Sequence, residues 1–100
     1  MKSRTWKIYS AVSEYNFSGL HSTKTTYLTT VPDIVPTVKN IRSVVRSLFP
    51  EYEIDETDWT LAEQIRSNFD IGMISVALKM PGTKYRDEFL SRSCELMEVI

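Results

Sequence analysis

Five apolar residues, Ile34, Val38, Ile41, Val45 and Leu48, recur at intervals of 4, 3, 4 and 3 between Pro32 and Pro50. Such intervals put side chains on one stripe of an α-helix and on no single face of a strand. Pro50 cannot continue a helix, so the segment stops just past Phe49. Asp33 is the candidate N-cap, because its carboxylate can accept from the free amides of a first turn. Pro36 then falls where a missing N–H does no harm. A helix of this kind is stable only if its apolar stripe is covered. The remainder of the chain must supply the cover.

The flanking segments read as strands. Residues 4–14 alternate loosely, with Trp6, Ile8 and Val12 on one side and Lys7, Tyr9 and Ala11 on the other. Residues 22–31 hold five threonines with Tyr27, Leu28 and Val31. Branched Thr side chains lose rotamer freedom in a helix and suit a pleated surface. Asn16-Phe17-Ser18-Gly19 offers turn chemistry between them. The two segments are expected to form an antiparallel hairpin with a longish loop that includes His21. Residues 51–58 form an acidic connector. In residues 59–69 a short helix is favoured, since Trp59, Ala62, Ile65 and Phe69 fit its spacing and Thr60-x-x-Glu63 resembles a capping box. A strand over 59–66 is the alternative. Residues 70–80 alternate as a strand, with Ile74, Val76, Leu78 and Met80 on one face, and Pro81-Gly82 turns the chain. A final helix is expected over 84–99, with Tyr85, Phe89, Leu96 and Ile100 inside and Leu90, Cys94 and Met97 beside them.

The expected class is α+β. A small antiparallel sheet of three strands, or four if residues 59–66 pair, carries two main helices on one face. The order is β-β-α-(short α or β)-β-α. At 100 residues the chain is expected to be a single domain, 1–100.

Composition removes several function classes. Cys94 is the only cysteine and His21 the only histidine, so neither an intramolecular disulfide nor an ordinary structural zinc site can be assembled. Gly19, Gly72 and Gly82 are isolated and build no phosphate loop. The longest stretch free of Asp, Glu, Lys and Arg is nine residues, Tyr15–Thr23. A membrane span needs about 20. The basic start, Lys2 to Lys7, is not followed by the apolar core of a signal peptide. An intracellular, cytoplasmic protein with no membrane contact is the expectation. No metal and no cofactor is expected.

No catalytic residue is assigned, and the chain is not expected to be an enzyme. His21 beside Ser22 reads as a solvated histidine, and Cys94, among Leu90 and Met97, as a buried inert thiol. Charge divides unevenly. Residues 1–50 carry seven Lys/Arg against Glu14 and Asp33, a balance of +5, and residues 51–100 carry five against eleven, a balance of −6. Lys39, Arg42 and Arg46 stand on one helix stripe and are the candidate phosphate-binding set. Trp6, Tyr9 and Tyr27 with Lys7 and Lys24 offer a stacking platform. A pI near 5.8 argues against nucleic acid, whose binders often exceed about 9.

The acidic run Glu51, Glu53, Asp55, Glu56 and Asp58, interleaved with Tyr52 and Trp59, admits three readings. It is a solvated connector, an oxygen-donor cation site lacking the EF-hand order, or a docking surface whose aromatic anchor has a polar rim. The leading expectation is a non-catalytic protein-binding module that occupies a partner's basic surface as a regulator or inhibitor. The contact would be Glu51, Tyr52, Glu53, Asp55, Glu56, Asp58 and Trp59. A nucleic-acid-binding domain using the sheet and the basic stripe is the second reading. A small-molecule binder or enzyme at an oligomer interface is the third. The Thr-rich segment, charged only at Lys24, would make a poorly protected sheet edge and invites a homodimer.

Overall fold

The computed structural model describes residues 2–67, 72–82 and 89–100. Strands β1 (Arg4–Asn16) and β2 (Gly19–Ile34) form one antiparallel hairpin. Its connection is shorter than expected. Both strands extend to a turn at Phe17-Ser18, where Asn16 Oδ1 accepts from the Ser18 amide at 2.9 Å and Gly19 takes a φ of 115°. The Asn side chain mimics a backbone turn, and glycine tolerates the positive φ. His21 therefore lies on β2 and not in a loop.

Helix α1 (Val38–Leu48) follows, then the two-residue strand β3 (Glu53–Ile54), helix α2 (Asp58–Ser67), and strands β4 (Met73–Lys79) and β5 (Leu90–Glu98). Among the described residues the sheet has five strands in the order β2-β1-β5-β4-β3, all neighbours antiparallel. The α+β class and the helices on one face hold. The strand number is larger than expected, and the final element is different in kind.

That element is the main correction. Residues 90–98 form β5, a strand at the centre of the sheet, where a helix over 84–99 was expected. Tyr85 lies outside the described residues. Cys94 and Leu96 are buried, whereas Phe89, Met97 and Ile100 are exposed. The sequence hides the strand because two of its core-side positions are polar. Arg92 and Glu98 share the face of Cys94 and Leu96, as the pairings with Val12 and Trp6 show. Distant partners satisfy both. The Arg92 guanidinium lies 5.3 Å from the centre of the Tyr52 ring, and Glu98 accepts from Arg4 at 2.9 Å.

The start of α1 is also displaced. Thr37, not Asp33, is the N-cap, and its hydroxyl accepts from the Asn40 amide at 3.2 Å. Proline disfavours helical geometry in the residue before it, so Val35 cannot join a helix. Ile34 ends β2, and Asp33 sits at a positive φ of 58°. The other end is as expected: α1 stops at Leu48, and Phe49 closes it through an N–H bond to Val45 at 2.8 Å. Helix α2 begins earlier than a Thr60 cap would give. Thr57 Oγ1 accepts from the Thr60 amide at 3.1 Å. Its buried stripe is Leu61 and Ile65, not Trp59, Ala62 and Ile65. Phe69 lies outside the described residues.

One apolar cluster fills the space between helices and sheet. Ile41, Val45, Phe49, Leu61 and Ile65 meet Trp6, Ile8, Ile74, Val76, Leu78, Cys94 and Leu96. Ile74, Val76 and Leu78 alternate inward on β4 as their spacing implied, while Met80 lies past the strand and is exposed. None of the described helices is long and apolar enough to cross a membrane.

Candidate functional site

The acidic run from Glu51 to Asp58 lies along the outer edge of β4. It is built into the fold more deeply than a connector would be. Glu53 and Ile54 pair with Lys79 and Leu78 as β3. The Asp55 amide donates to the Ala77 carbonyl at 2.8 Å. Glu56 then bridges outward and inward: Oε1 accepts from the Ala77 amide at 3.3 Å and Oε2 from the Thr60 hydroxyl at 2.8 Å. Asp58 accepts from Arg42 Nε at 2.7 Å, and the same guanidinium donates to the Glu56 carbonyl at 2.6 Å. Glu53 stands 3.9 Å from Lys79 Nζ, and Glu63 pairs with Arg66. Glu53, Glu56, Asp58 and Glu63 thus have partners in the fold, while Glu51 is exposed and makes no ion pair among the described residues. No group of three His, Cys, Asp or Glu among the described residues is placed to hold a metal ion.

Trp59 is in a different situation. It occupies the first turn of α2 with 73 % of its surface exposed. Two residues on, Leu61 is fully buried. A step of two residues turns about 200° around a helix, so burying the Leu61–Ile65 stripe forces Trp59 outward. Asp58 beside it has a side chain 79 % exposed despite its bond to Arg42. Ala62 and Glu63 follow one turn on along the same side.

The basic stripe converges on the acidic run. Lys39 and Arg46 are exposed on α1, and neither makes an ion pair among the described residues. Arg42 is held by Asp58 and the Glu56 carbonyl. Arg42 and Arg46 line an open cleft of about 530 Å³ with Phe49, Pro50, Tyr52, Glu53 and Ile54. The two candidate sets, read separately from the sequence, therefore share one surface. Their charges partly cancel there, which weakens the cleft as a phosphate site.

The stacking platform does not assemble. Trp6 is buried in the core and donates its indole N–H to the Ile34 carbonyl at 3.2 Å. Tyr9 and Tyr27 meet edge to face at 5.7 Å, on the sheet face opposite the helices. Lys7 shares that face, but Lys24 pairs with Val12 on the helix side. The Lys39, Arg42 and Arg46 stripe belongs to α1, across the sheet from both tyrosines. Cys94 is fully buried, and burial first, then the charge of Glu95, pushes its thiol up to about 12.

Sequence reasoning missed Gln64. Its side-chain amide accepts from the Ser75 N–H at 3.0 Å and donates to the Ser75 carbonyl at 2.6 Å. It also missed Glu95, whose Oε1 accepts from both Ser75 and Ser93 hydroxyls on the open sheet face, at 2.7 and 2.8 Å. Alternation over 91–97 would have aligned Ser91, Ser93, Glu95 and Met97. For Gln64 no local signal exists. No protein family, no curated protein and no solved structure matches this chain.

Proposed function

We propose that the chain is a non-catalytic protein-binding module whose contact is centred on Trp59, with exposed carboxylates around it. The observation that carries this reading is the exposure of Trp59. Tryptophan combines a large apolar area with few rotamers, and it dominates interface energetics when it enters a pocket. Burying it in this fold would turn α2 over and expose Leu61 and Ile65. Its exposure is thus tied to the way α2 packs, and it leaves an apolar body for a partner to cover. Asp58 and Glu63, on the same side of α2, place carboxylates beside it, which favours a partner with a basic rim around an apolar pocket. Such charges mainly raise the association rate and set specificity. A regulator or inhibitor that covers a partner's basic surface is the concrete form of this function.

The test compares tagged wild type and Trp59→Ala in affinity capture from host lysate, each with and without nuclease. A protein that survives nuclease should be retained by wild type and lost by Trp59→Ala. An interface tryptophan worth about 2 kcal/mol corresponds to roughly 30-fold weaker binding. Because Trp59 is exposed, the melting temperature should not change. Equal retention by both proteins, or recovery that disappears with nuclease, overturns the reading.

A further inference from the structure

The β2 edge of the sheet lies in a part of the chain separate from Trp59 and helix α2. Strand β2 is terminal in the strand order, and no strand lies beyond it among the described residues. From Gly19 to Leu28 every residue is exposed. The chain protects its opposite edge with side chains, but β2 has few such devices. Between Gly19 and Val31 it contains no proline and one Lys/Arg/Asp/Glu residue, Lys24. Its register shifts leave His21 and Leu28 unpaired, and between them Ser22–Tyr27 pairs with β1 without interruption. That is six residues, about the length of an ordinary strand. Every second residue of such an edge turns its N–H and C=O away from the sheet, where only water or another strand can bond them.

We infer that this edge pairs with the same edge of a second copy, antiparallel, about a two-fold axis at Thr25. The sequence is self-complementary in that register. Antiparallel pairing about a perpendicular axis keeps each side chain on its own sheet face. Thr25 then lies opposite Thr25, Thr23 opposite Tyr27, and Lys24 opposite Thr26. Thr–Thr and aromatic–β-branched pairs are favourable across strands. The opposing threonine keeps the two lysines from facing directly. Moving the axis by one residue to Lys24 would set lysine against lysine, which is unfavourable. The two five-stranded sheets would join into one continuous ten-stranded sheet, with both helix layers on the same side. The isologous contact closes on itself and leaves short β3 and the side-chain-covered stretch of β4 as the outer edges.

Sedimentation from micromolar to millimolar concentration tests this. The wild type should shift from 11.6 kDa to twice that mass. Thr25→Lys places two lysines face to face and should remain at the monomer mass, with the melting curve that wild type shows at its lowest, monomeric concentration. Thr25→Cys gives an independent readout, because cross-strand Cβ atoms lie about 4.5–5.5 Å apart, close to disulfide range. Mild oxidation should link two copies through residue 25, whereas Ser47→Cys on exposed α1 should not link them. A monomeric wild type at all concentrations overturns the inference and leaves the edge to a strand from another protein. A dimer that Thr25→Lys does not weaken, or one that Thr25→Cys fails to lock, overturns it as well.

Discussion

On the β4 side of the sheet, the outward N–H groups of Ser75 and Ala77 donate to Gln64 Oε1 and Glu56 Oε1. On the β2 side, sixteen residues run past β1, and no strand lies beyond them among the described residues. Both edges present the same backbone chemistry, and the difference lies in what the neighbouring sequence can reach. After Ile54 the chain leaves the sheet, but it stays beside β4 and continues the ladder with atoms that are not a strand. The Asp55 amide, the Glu56 carboxylate and the Gln64 carboxamide take positions that a longer β3 would otherwise fill. Each such group ends pairing at that point, because a side chain offers no further backbone to extend. Among the described residues strand β2 pairs only with its hairpin partner, and its threonines bond locally, as in Ser13–Thr23 and Tyr27–Thr30. A covered edge ends a sheet, and an open one allows it to grow.

The strongest way to break this comparison is to remove the Gln64 cover. Gln64→Ala deletes both bonds to Ser75 in a half-buried site. A donor and an acceptor left without partners cost on the order of 1–3 kcal/mol each where water is excluded. Urea denaturation should show a loss of about 2–4 kcal/mol. The variant should also self-associate in a Thr25→Lys background, because it has acquired a second open edge. A neutral Gln64→Ala with no new association would mean that the amide decorates the edge without closing it.

Cys94 provides an interior reference, on the central strand and far from both edges. Its thiol is raised from an ordinary 9.0 to about 12. The sign follows from which state holds the proton. Below pH 9 both folded and unfolded chains keep it, and the buried neutral thiol contributes in full. Between pH 9 and 12 the unfolded chain releases its proton and the folded chain does not, so stability falls as pH rises. The slope is about 1.4 kcal/mol per pH unit within that window. Denaturation of wild type and Cys94→Ala across it should show the steeper alkaline loss in wild type. The difference should be the same with or without Thr25→Lys. Parallel slopes would place Cys94 in contact with water.

How much of this was legible beforehand depends on the range of the interactions involved. The α1 stripe, the first hairpin and the β4 alternation are set by residues within a few positions of one another, and each was readable. β5 was not, since Arg92 and Glu98 interrupt its inward pattern and their partners, Tyr52 and Arg4, are 40 and 94 residues away. Glu95 and Glu98 favour a helix locally, and packing at the centre of the sheet overrode that preference. The same limit applies to function. Six carboxylates in thirteen residues stand out in the sequence. Which of them are partnered becomes visible only once Arg42, Ala77 and Lys79 are brought beside them. Trp59 fitted a helical spacing with Ala62 and Ile65, yet Leu61 and Ile65 form the stripe that is buried.

Amide exchange has the smallest energetic effect and discriminates the edges most directly. Ser75 and Ala77 lie on the side of β4 that β5 does not cover, but their N–H groups are bonded, so both should exchange slowly. In Ser22–Tyr27, amides should alternate between protected and unprotected, since every second one faces away from β1. At low concentration the outward set should exchange at nearly the rate of an unstructured chain. Raising the concentration should protect those residues and leave Ser75 and Ala77 unchanged, because only the β2 edge gains a neighbour. Fast exchange at Ser75 and Ala77 would show that side-chain bonds do not seal an edge, and the two edges would then differ in appearance only. Outward β2 amides that remain fast at every concentration would show that three bulges and exposed threonines suffice to keep an edge unpaired.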